Sequence, residues 1–278
     1  MLFEIHHVTE YAYSRNIVIA PHTFRLRPRA DGSQVTRRFE LTITPEPAGR
    51  TDFLDVEGNV ATRAWFIDGG KTFRVAISME VETLRTNAFD YLPAFDGWEM
   101  YPPGLKRRLS PYLDAEDAGS GVAKLARDLR QRAEDPLSFL SALNQHLHDN
   151  FEREIRELGA AQTPDETLGR GKGACRDLAV LFMAVCRLNG IAARFVSGYQ
   201  HGDEERERRY MHAWPEVYLP GGGWRGFDPS HGLAVADAHV PVAAGARPEE
   251  AAPIDGTYFG DAAATLQVQL QISVWDGV

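Results

Sequence analysis

From Phe73 to Thr83 the chain alternates, with Phe73, Val75, Ile77, Met79 and Val81 apolar and Arg74, Ser78, Glu80 and Glu82 polar. A period of two puts one set of side chains on the buried face of a strand and the other in water. Phe39, Leu41 and Ile43 repeat the pattern before a break at Pro45 and Pro47, and Phe24 to Leu26 begins another such run. Turn-forming clusters at Asp55 to Asn59 and at Gly69-Gly70 separate these runs. Short strands punctuated in this way predict a small antiparallel β-sandwich or barrel over residues 1–85.

Between residues 86 and 120 the pattern dissolves: Pro93, Pro102, Pro103, Pro111, Gly97 and Gly104 interrupt any long periodic element. A helical period follows over Val122 to Ala133. A second begins at Pro136, a residue suited to a first helical turn, and places Leu137, Leu140, Leu143 and Leu147 along one stripe. Gly169, Gly171 and Gly173 lead into a third helix that starts at Cys175 and stops at Asn189-Gly190. Beyond its first residues it is apolar nearly all round apart from Arg187, which predicts a place at the centre of a core. Strand-like runs come next at Ala192–Tyr199, His212–Leu219 and Trp224–Asp228, the last two joined by a tight turn over Pro220 to Gly223. Leu266 to Val274 alternates again and predicts a C-terminal strand near 265–275, with nothing local to say which sheet it joins. The expected class is α+β: an N-terminal β-sandwich-like domain over residues 1–110, then a core over 111–278 in which a helix packs on an antiparallel sheet.

Composition narrows the function classes. The 278 residues are 44% hydrophobic, enough for a full core, and carry a net charge of −9. No basic tract is large enough to neutralise a run of phosphates, so nucleic acid is not an expected partner. The first residues lack the basic and apolar regions of a signal peptide, and no window reaches the roughly 18 to 20 apolar residues of a membrane helix. A cytoplasmic location without membrane contact is therefore expected. The two cysteines, Cys175 and Cys186, are eleven positions apart on the third helix. That spacing separates them by about 16 Å along the axis, too far for a disulfide, whose Cα atoms lie within about 7 Å.

Cys175 opens that helix just after a glycine-rich loop, where unpaired N–H groups and the positive dipole end favour thiolate. The first-turn N–H can also donate to a developing oxyanion. Cys186, among Phe182, Met183, Val185 and Leu188, reads as core. His212 starts a strand whose hairpin partner ends at Asp228. The two lie near each other if the pairing is offset or bulged, and a carboxylate there fixes the imidazole tautomer. Tyr199 is a candidate oxyanion donor or channel residue, and Trp214 and Trp224 are candidate cleft walls. Both tryptophans also suit a core position, and Tyr199 a half-buried one with its hydroxyl in water. The mixed-charge run 202–209, directly before His212, reads as a solvated loop placed to act as a lid.

Four blocks carry a resemblance. Gly171-Lys-Gly-Ala-Cys175-Arg-Asp, Arg194-Phe-Val-Ser-Gly-Tyr199, His212-Ala-Trp-Pro-Glu-Val-Tyr218 and Trp224-Arg-Gly-Phe-Asp228-Pro-Ser look like the core of the bacterial transglutaminase-like superfamily. The Cys, His, Asp order and the spacings of 37 and 16 residues agree with it. His6-His7-Val-Thr-Glu-Tyr-Ala-Tyr, and Pro21-His22 with Arg25-Leu-Arg-Pro28, resemble the β-domain that often precedes this core. The resemblance implies Cys175 as nucleophile, His212 as general base and acid, and Asp228 as orienting carboxylate. The implied substrate is a protein or peptide amide, opened through a thioacyl intermediate and resolved by water (peptidase or amidase) or by an amine (transferase). The alternative from another class is a binding or assembly module with a degenerate core. No cofactor and no metal are expected.

Overall fold

An eighteen-residue strand, β1 (Leu2–Ile19), organises the first part of the chain. This is a computed structural model, and it describes residues 1–115, 118–202 and 209–275. After β1 come β2 (His22–Phe24), β3 (Gln34–Thr44), β4 (Gly49–Leu54), β5 (Val60–Trp65) and β6 (Gly70–Thr83). The middle holds α1 (Pro103–Arg108), α2 (Ser120–Arg132), α3 (Pro136–Asn150), β7 (Glu152–Arg153), α4 (Pro164–Arg170), β8 (Lys172–Gly173) and α5 (Cys175–Leu188). Then follow β9 (Ala193–Gln200), β10 (His212–Leu219), β11 (Gly223–Asp228), β12 (Leu233–Ala234) and β13 (His239–Gly245). The chain returns through β14 (Ile254–Asp255), β15 (Tyr258–Phe259) and β16 (Ala264–Trp275).

The alternation read on β6 holds in three dimensions: Phe73, Val75, Ile77, Met79 and Val81 are all buried. β1 pairs antiparallel with β6 along one edge, with His7 opposite Ile77 and Thr9 opposite Val75. β3 extends this sheet beyond β6. A second sheet, in the order β14-β2-β5-β4, faces the first, and the Phe24 and Phe73 rings meet 6.3 Å apart between them. This is the sandwich that period two predicted.

The C-terminal strand finds its place in the first sheet. β16 runs along the free edge of β1 from Leu2 opposite Trp275 to Tyr13 opposite Ala264. β15 pairs with the end of β1, and β14 pairs with β2. The expected division into 1–110 and 111–278 is therefore corrected: residues 254–275 complete the N-terminal β-structure. Alternation marks a strand but carries no address, because any open edge of matching register satisfies its backbone.

The core sheet runs β12-β11-β10-β9-β13, and α5 packs on β9 and β10. Leu178, Ala179, Leu181, Phe182, Met183, Val185 and Cys186 of α5 are buried, as its all-round apolar sequence predicted. The β10–β11 turn needs glycine at Gly221, where φ is +88° and a side chain would run into the Leu92 carbonyl oxygen. β13 would be an exposed edge, but the β-sandwich covers it. Asn59 acts as a strand in miniature, donating Nδ2–H to the Ala244 carbonyl and accepting from the Ala244 N–H, both at 2.8 Å. Gln34 donates to the Pro241 carbonyl at 2.8 Å in the same interface. Among the described residues no helix is long and apolar enough to cross a membrane.

Candidate active site

Cys175 is the first residue of α5. Asp177, fully buried, accepts the Ala174 N–H at 2.8 Å and so closes the helix start, while its other oxygen accepts the Gln162 N–H at 2.8 Å. Arg156 pairs with the same carboxylate. This clamp fixes the loop before Cys175 and leaves the N–H groups of Cys175 and Arg176 at an unpaired helix end. β7 and β8 pair in parallel, Arg153 beside Gly173, so residues 153–158 run past the thiol.

His212 and Asp228 meet diagonally. The β10–β11 ladder runs from Leu219 opposite Gly223 to Glu216 opposite Gly226. Extended two steps, that register sets Asp228 opposite Trp214, one side-chain repeat from His212, within reach of a diagonal pair. His212 Nε2 donates to Asp228 Oδ2 at 2.8 Å, which leaves the other ring nitrogen free for the Cys175 thiol in the cleft that both residues line. The offset that the hairpin count required is this diagonal.

Two further histidines converge on the same oxygen. His231 Nδ1 lies 2.8 Å from Asp228 Oδ2 and His239 Nε2 lies 3.0 Å from it. Oδ1 accepts the Ser230 N–H at 3.0 Å, the turn contact that Asp-Pro-Ser favours. Neither histidine was among the site residues expected from sequence. His231, three residues after Asp228 in a turn, had a local signal; His239, across the sheet on β13, had none.

The charges are arranged in a row. Burial alone would raise the Cys175 thiol pKa, but the His212 charge and hydrogen bond, with the Ala213 N–H, hold it below the ordinary value. Burial would lower His212, but Asp228 and Cys175 push it up to about 10. Asp228 is buried as well, yet the charge of His212 and hydrogen bonds from three imidazoles hold it well below the carboxylate range. Both shifts run in the direction that favours the thiolate–imidazolium pair over the neutral one. Cys186 is the opposite case: burial pushes its thiol well up.

The pair opens on a cleft of about 760 Å³. One wall is the sandwich, through His7, Thr9 and Tyr11 of β1 and Leu266 and Val268 of β16. Facing it are residues 153–158, the start of α5, and Gly202, Arg209, Tyr210 and Met211 ahead of His212. Residues 203–208 of the expected lid lie outside the described residues.

Two expectations are corrected. Tyr199 is fully buried and does not line the cleft; its hydroxyl lies 2.9 Å from His7 Nδ1, so His7 stands between it and any substrate. Trp214 is also fully buried, with His212 and His239 beside its ring at centroid distances of 6.0 and 5.1 Å. Gly198 makes room for that indole, since a Cβ there would sit 2.6 Å from it. Trp224 lies away from the cleft, against Tyr112 and Tyr218. The reason is common to all three: local pattern assigns an aromatic to its strand, and the packing of neighbouring layers sets its depth.

Among the described residues, one group has three metal-type donor atoms close together: His212, Asp228 and His231, within 4.8 Å of one another. Both imidazoles already hydrogen-bond one carboxylate oxygen, and a cation would displace those bonds. The three side chains form a hydrogen-bonded cluster.

Fold and site together define an α+β protein of the papain-like type, with a cysteine at the head of a buried helix and its partners on the adjoining sheet. A family model described as the transglutaminase-like superfamily matches residues 123–229, and one described as the bacterial transglutaminase-like N-terminal region matches residues 3–82. The chain belongs to the transglutaminase-like superfamily. An uncharacterised Mycobacterium tuberculosis protein is 24% identical, across 99% of this chain and 93% of its own. Protein-glutamine gamma-glutamyltransferase of Pseudomonas aeruginosa is 31% identical over 148 residues, which are 50% of this chain and 21% of that protein. A Cytophaga hutchinsonii crystal structure, described as a candidate cysteine protease, shares the fold with a TM-score of 0.73 at 24% identity, covering 100% of this chain and 92% of that one.

Proposed function

We propose that this chain is a cysteine-dependent enzyme that opens protein or peptide amides through a thioacyl intermediate on Cys175. One observation carries the reading: a thiol at a helix N-terminus shares a cleft with an imidazole that a buried carboxylate holds at 2.8 Å. In the first step the Cys175 thiolate attacks the amide carbonyl. The carbonyl oxygen becomes an oxyanion, for which the N–H groups at the start of α5 are suitable donors. The His212 imidazolium then gives its proton to the leaving nitrogen as the C–N bond breaks, releasing an amine or ammonia and leaving a thioester. In the second step neutral His212 takes a proton from the incoming nucleophile, which attacks the thioester and frees the thiolate.

Water is the proposed acceptor by default, with an amine as the competing one. The chain spans about a fifth of the glutamyltransferase it resembles, so that protein's acceptor choice is not carried over. A glutamine peptide offered with and without a primary amine tests the reading. Hydrolysis or deamidation independent of amine, abolished by Cys175→Ala, is the expected result. Ping-pong kinetics that require the amine would assign transfer instead. Turnover that survives Cys175→Ala would overturn both.

A further inference from the structure

Asp228 holds more than His212, and the partners of the two extra histidines fix their protonation. Arg153 Nη1 lies 3.0 Å from His231 Nε2. A guanidinium has only N–H groups to offer, so Nε2 must present its lone pair and the ring proton must sit on Nδ1, facing Asp228. His231 is thus a neutral ring in one tautomer. His239 is 2% exposed; its Nε2 faces Asp228 and its Nδ1 is buried without a hydrogen-bond partner. A second proton on that ring would be an unpaired buried charge beside the His212 imidazolium, so His239 is neutral with its proton on Nε2.

We propose that His231 and His239 are positioning residues that orient Asp228 and temper its basicity, and that Arg153, from the cleft, holds the bare Nε2 of His231 and so keeps that ring neutral. The inference rests on the reaction proposed above, in which Asp228 acts only through His212. With donors from three rings and the Ser230 N–H, the carboxylate has little basicity left to draw the proton from His212. The imidazolium then stays acidic enough to release that proton to a leaving amine. The resulting row alternates in charge: Arg153 positive, His231 neutral, Asp228 negative, His212 positive, Cys175 negative. The titratable and charged groups around it come from every neighbouring element. Arg153 comes from β7, Cys175 from α5, His212 from β10 and His239 from β13, and His148 of α3 packs where Gly232 follows His231. Arg153 also lines the cleft, so the row runs from the substrate side to the nucleophile.

The test is ¹⁵N NMR of the histidine-labelled full chain, with resonances assigned through single substitutions. At neutral pH His231 is expected to show a protonated Nδ1 and a bare Nε2, His239 the reverse, and His212 both nitrogens protonated. A cationic His231, or one with its proton on Nε2, would overturn the inference. In Arg153→Leu, Nδ1–H stays on Asp228 while Nε2 loses its guanidinium partner, so the Nε2 resonance of His231 is expected to shift as that lone pair meets water or a second proton; an unchanged Nε2 would overturn the role of Arg153. His231→Leu and His239→Leu each remove a donor and are expected to raise the pH at which His212 loses its imidazolium proton by about half a unit to one unit. His231→Asn and His239→Gln keep an N–H near the same place and are expected to restore the wild-type value. Leucine variants that leave the His212 titration unmoved would overturn the tempering role. If they fail to fold, the wild-type tautomers and Arg153→Leu decide. Iodoacetamide labelling in the same samples separates the two readings. An inert Cys175 beside the expected tautomers counts against the proposed enzyme alone, whereas a reactive Cys175 beside a cationic His231 counts against this inference alone.

Discussion

The Tyr199 hydroxyl and His7 Nδ1 meet at 2.9 Å, joining β9 of the core to β1 of the sandwich across 192 residues of sequence. Thr9 Oγ1 holds the other His7 nitrogen at 3.1 Å, and burial keeps the ring neutral by lowering its pKa to about 4. The cleft wall is thereby tied to the sheet that carries His212. Tyr199→Phe would leave His7 half-satisfied and is expected to cost about 1–2 kcal/mol in urea unfolding. The iodoacetamide rate at Cys175 should stay at wild type, since Tyr199 is not among the groups that set that thiol; a large drop would mean that the wall also governs the nucleophile.

Labelling at pH 7 should discriminate sharply between the cysteines. Cys175 faces the cleft with its thiol favoured as thiolate, whereas Cys186 is fully buried with its thiol pushed up. Mass spectrometry is expected to find Cys175 modified first and Cys186 protected until denaturant is added. Equal labelling would remove Cys175 as nucleophile.

The Asp228–His212 pair should leave a pH signature in stability. His212 is raised from 6.5 to about 10, so its contribution is fully present below pH 6.5 and is lost as pH rises through about 10. Asp228 is depressed below its ordinary 3.8, so its contribution is present above that value and is lost as pH falls through the folded value. The urea midpoint difference between wild type and Asp228→Asn should therefore be widest at about pH 5 to 6.5 and narrow on both sides. A difference that is flat across pH would show that the pair is not charged in the folded protein.

Asp177 is expected to matter for both stability and chemistry. Its carboxylate closes the start of α5, holds the Gln162 N–H and pairs with Arg156. Asp177→Ala strands those donors and should cost about 2–4 kcal/mol. It should also slow Cys175 alkylation, because the helix end that favours thiolate loses its fixed geometry. Calorimetry and alkylation rates measured on one sample check both.

Val268 of β16 tests the wall. Val268→Arg puts a long charged side chain into the cleft opposite the nucleophile. Turnover of a peptide substrate is expected to fall at least about tenfold, through the loss of more than about 1.4 kcal/mol of transition-state binding. Iodoacetamide, being small, should still reach Cys175 at nearly the wild-type rate. Equal losses for both would place the change in the chemistry and not in substrate access.

Much of the site was legible in local sequence. Cys175 follows a glycine loop and opens an apolar helix, and Asp228 ends the hairpin strand paired with the one His212 begins, so spacing set His212 near Asp228 and the family resemblance joined Cys175 to them. The same logic located β6 within three residues and α3 and α5 within one, since a period of two or 3.6 is written in consecutive side chains. What local pattern lacked was depth. Trp214 occupies a strand position that would suit a cleft wall or a core, and Tyr199 one that would suit a channel or a half-buried site; only the layers stacked over them buried both.

The sequence by itself determined the α+β class, the sandwich strands, the buried helix and the order Cys175, His212, Asp228, because each depends on residues near one another in the chain. The tertiary structure alone decided that β16 closes on β1, that His7, Thr9 and Tyr11 line one cleft with Cys175, and that His231 and His239 share the carboxylate of Asp228. These are pairings between distant segments. A strand edge, a ring nitrogen or a carboxylate oxygen can be satisfied by many partners of the right chemistry, and the one it meets is chosen by how the whole chain packs.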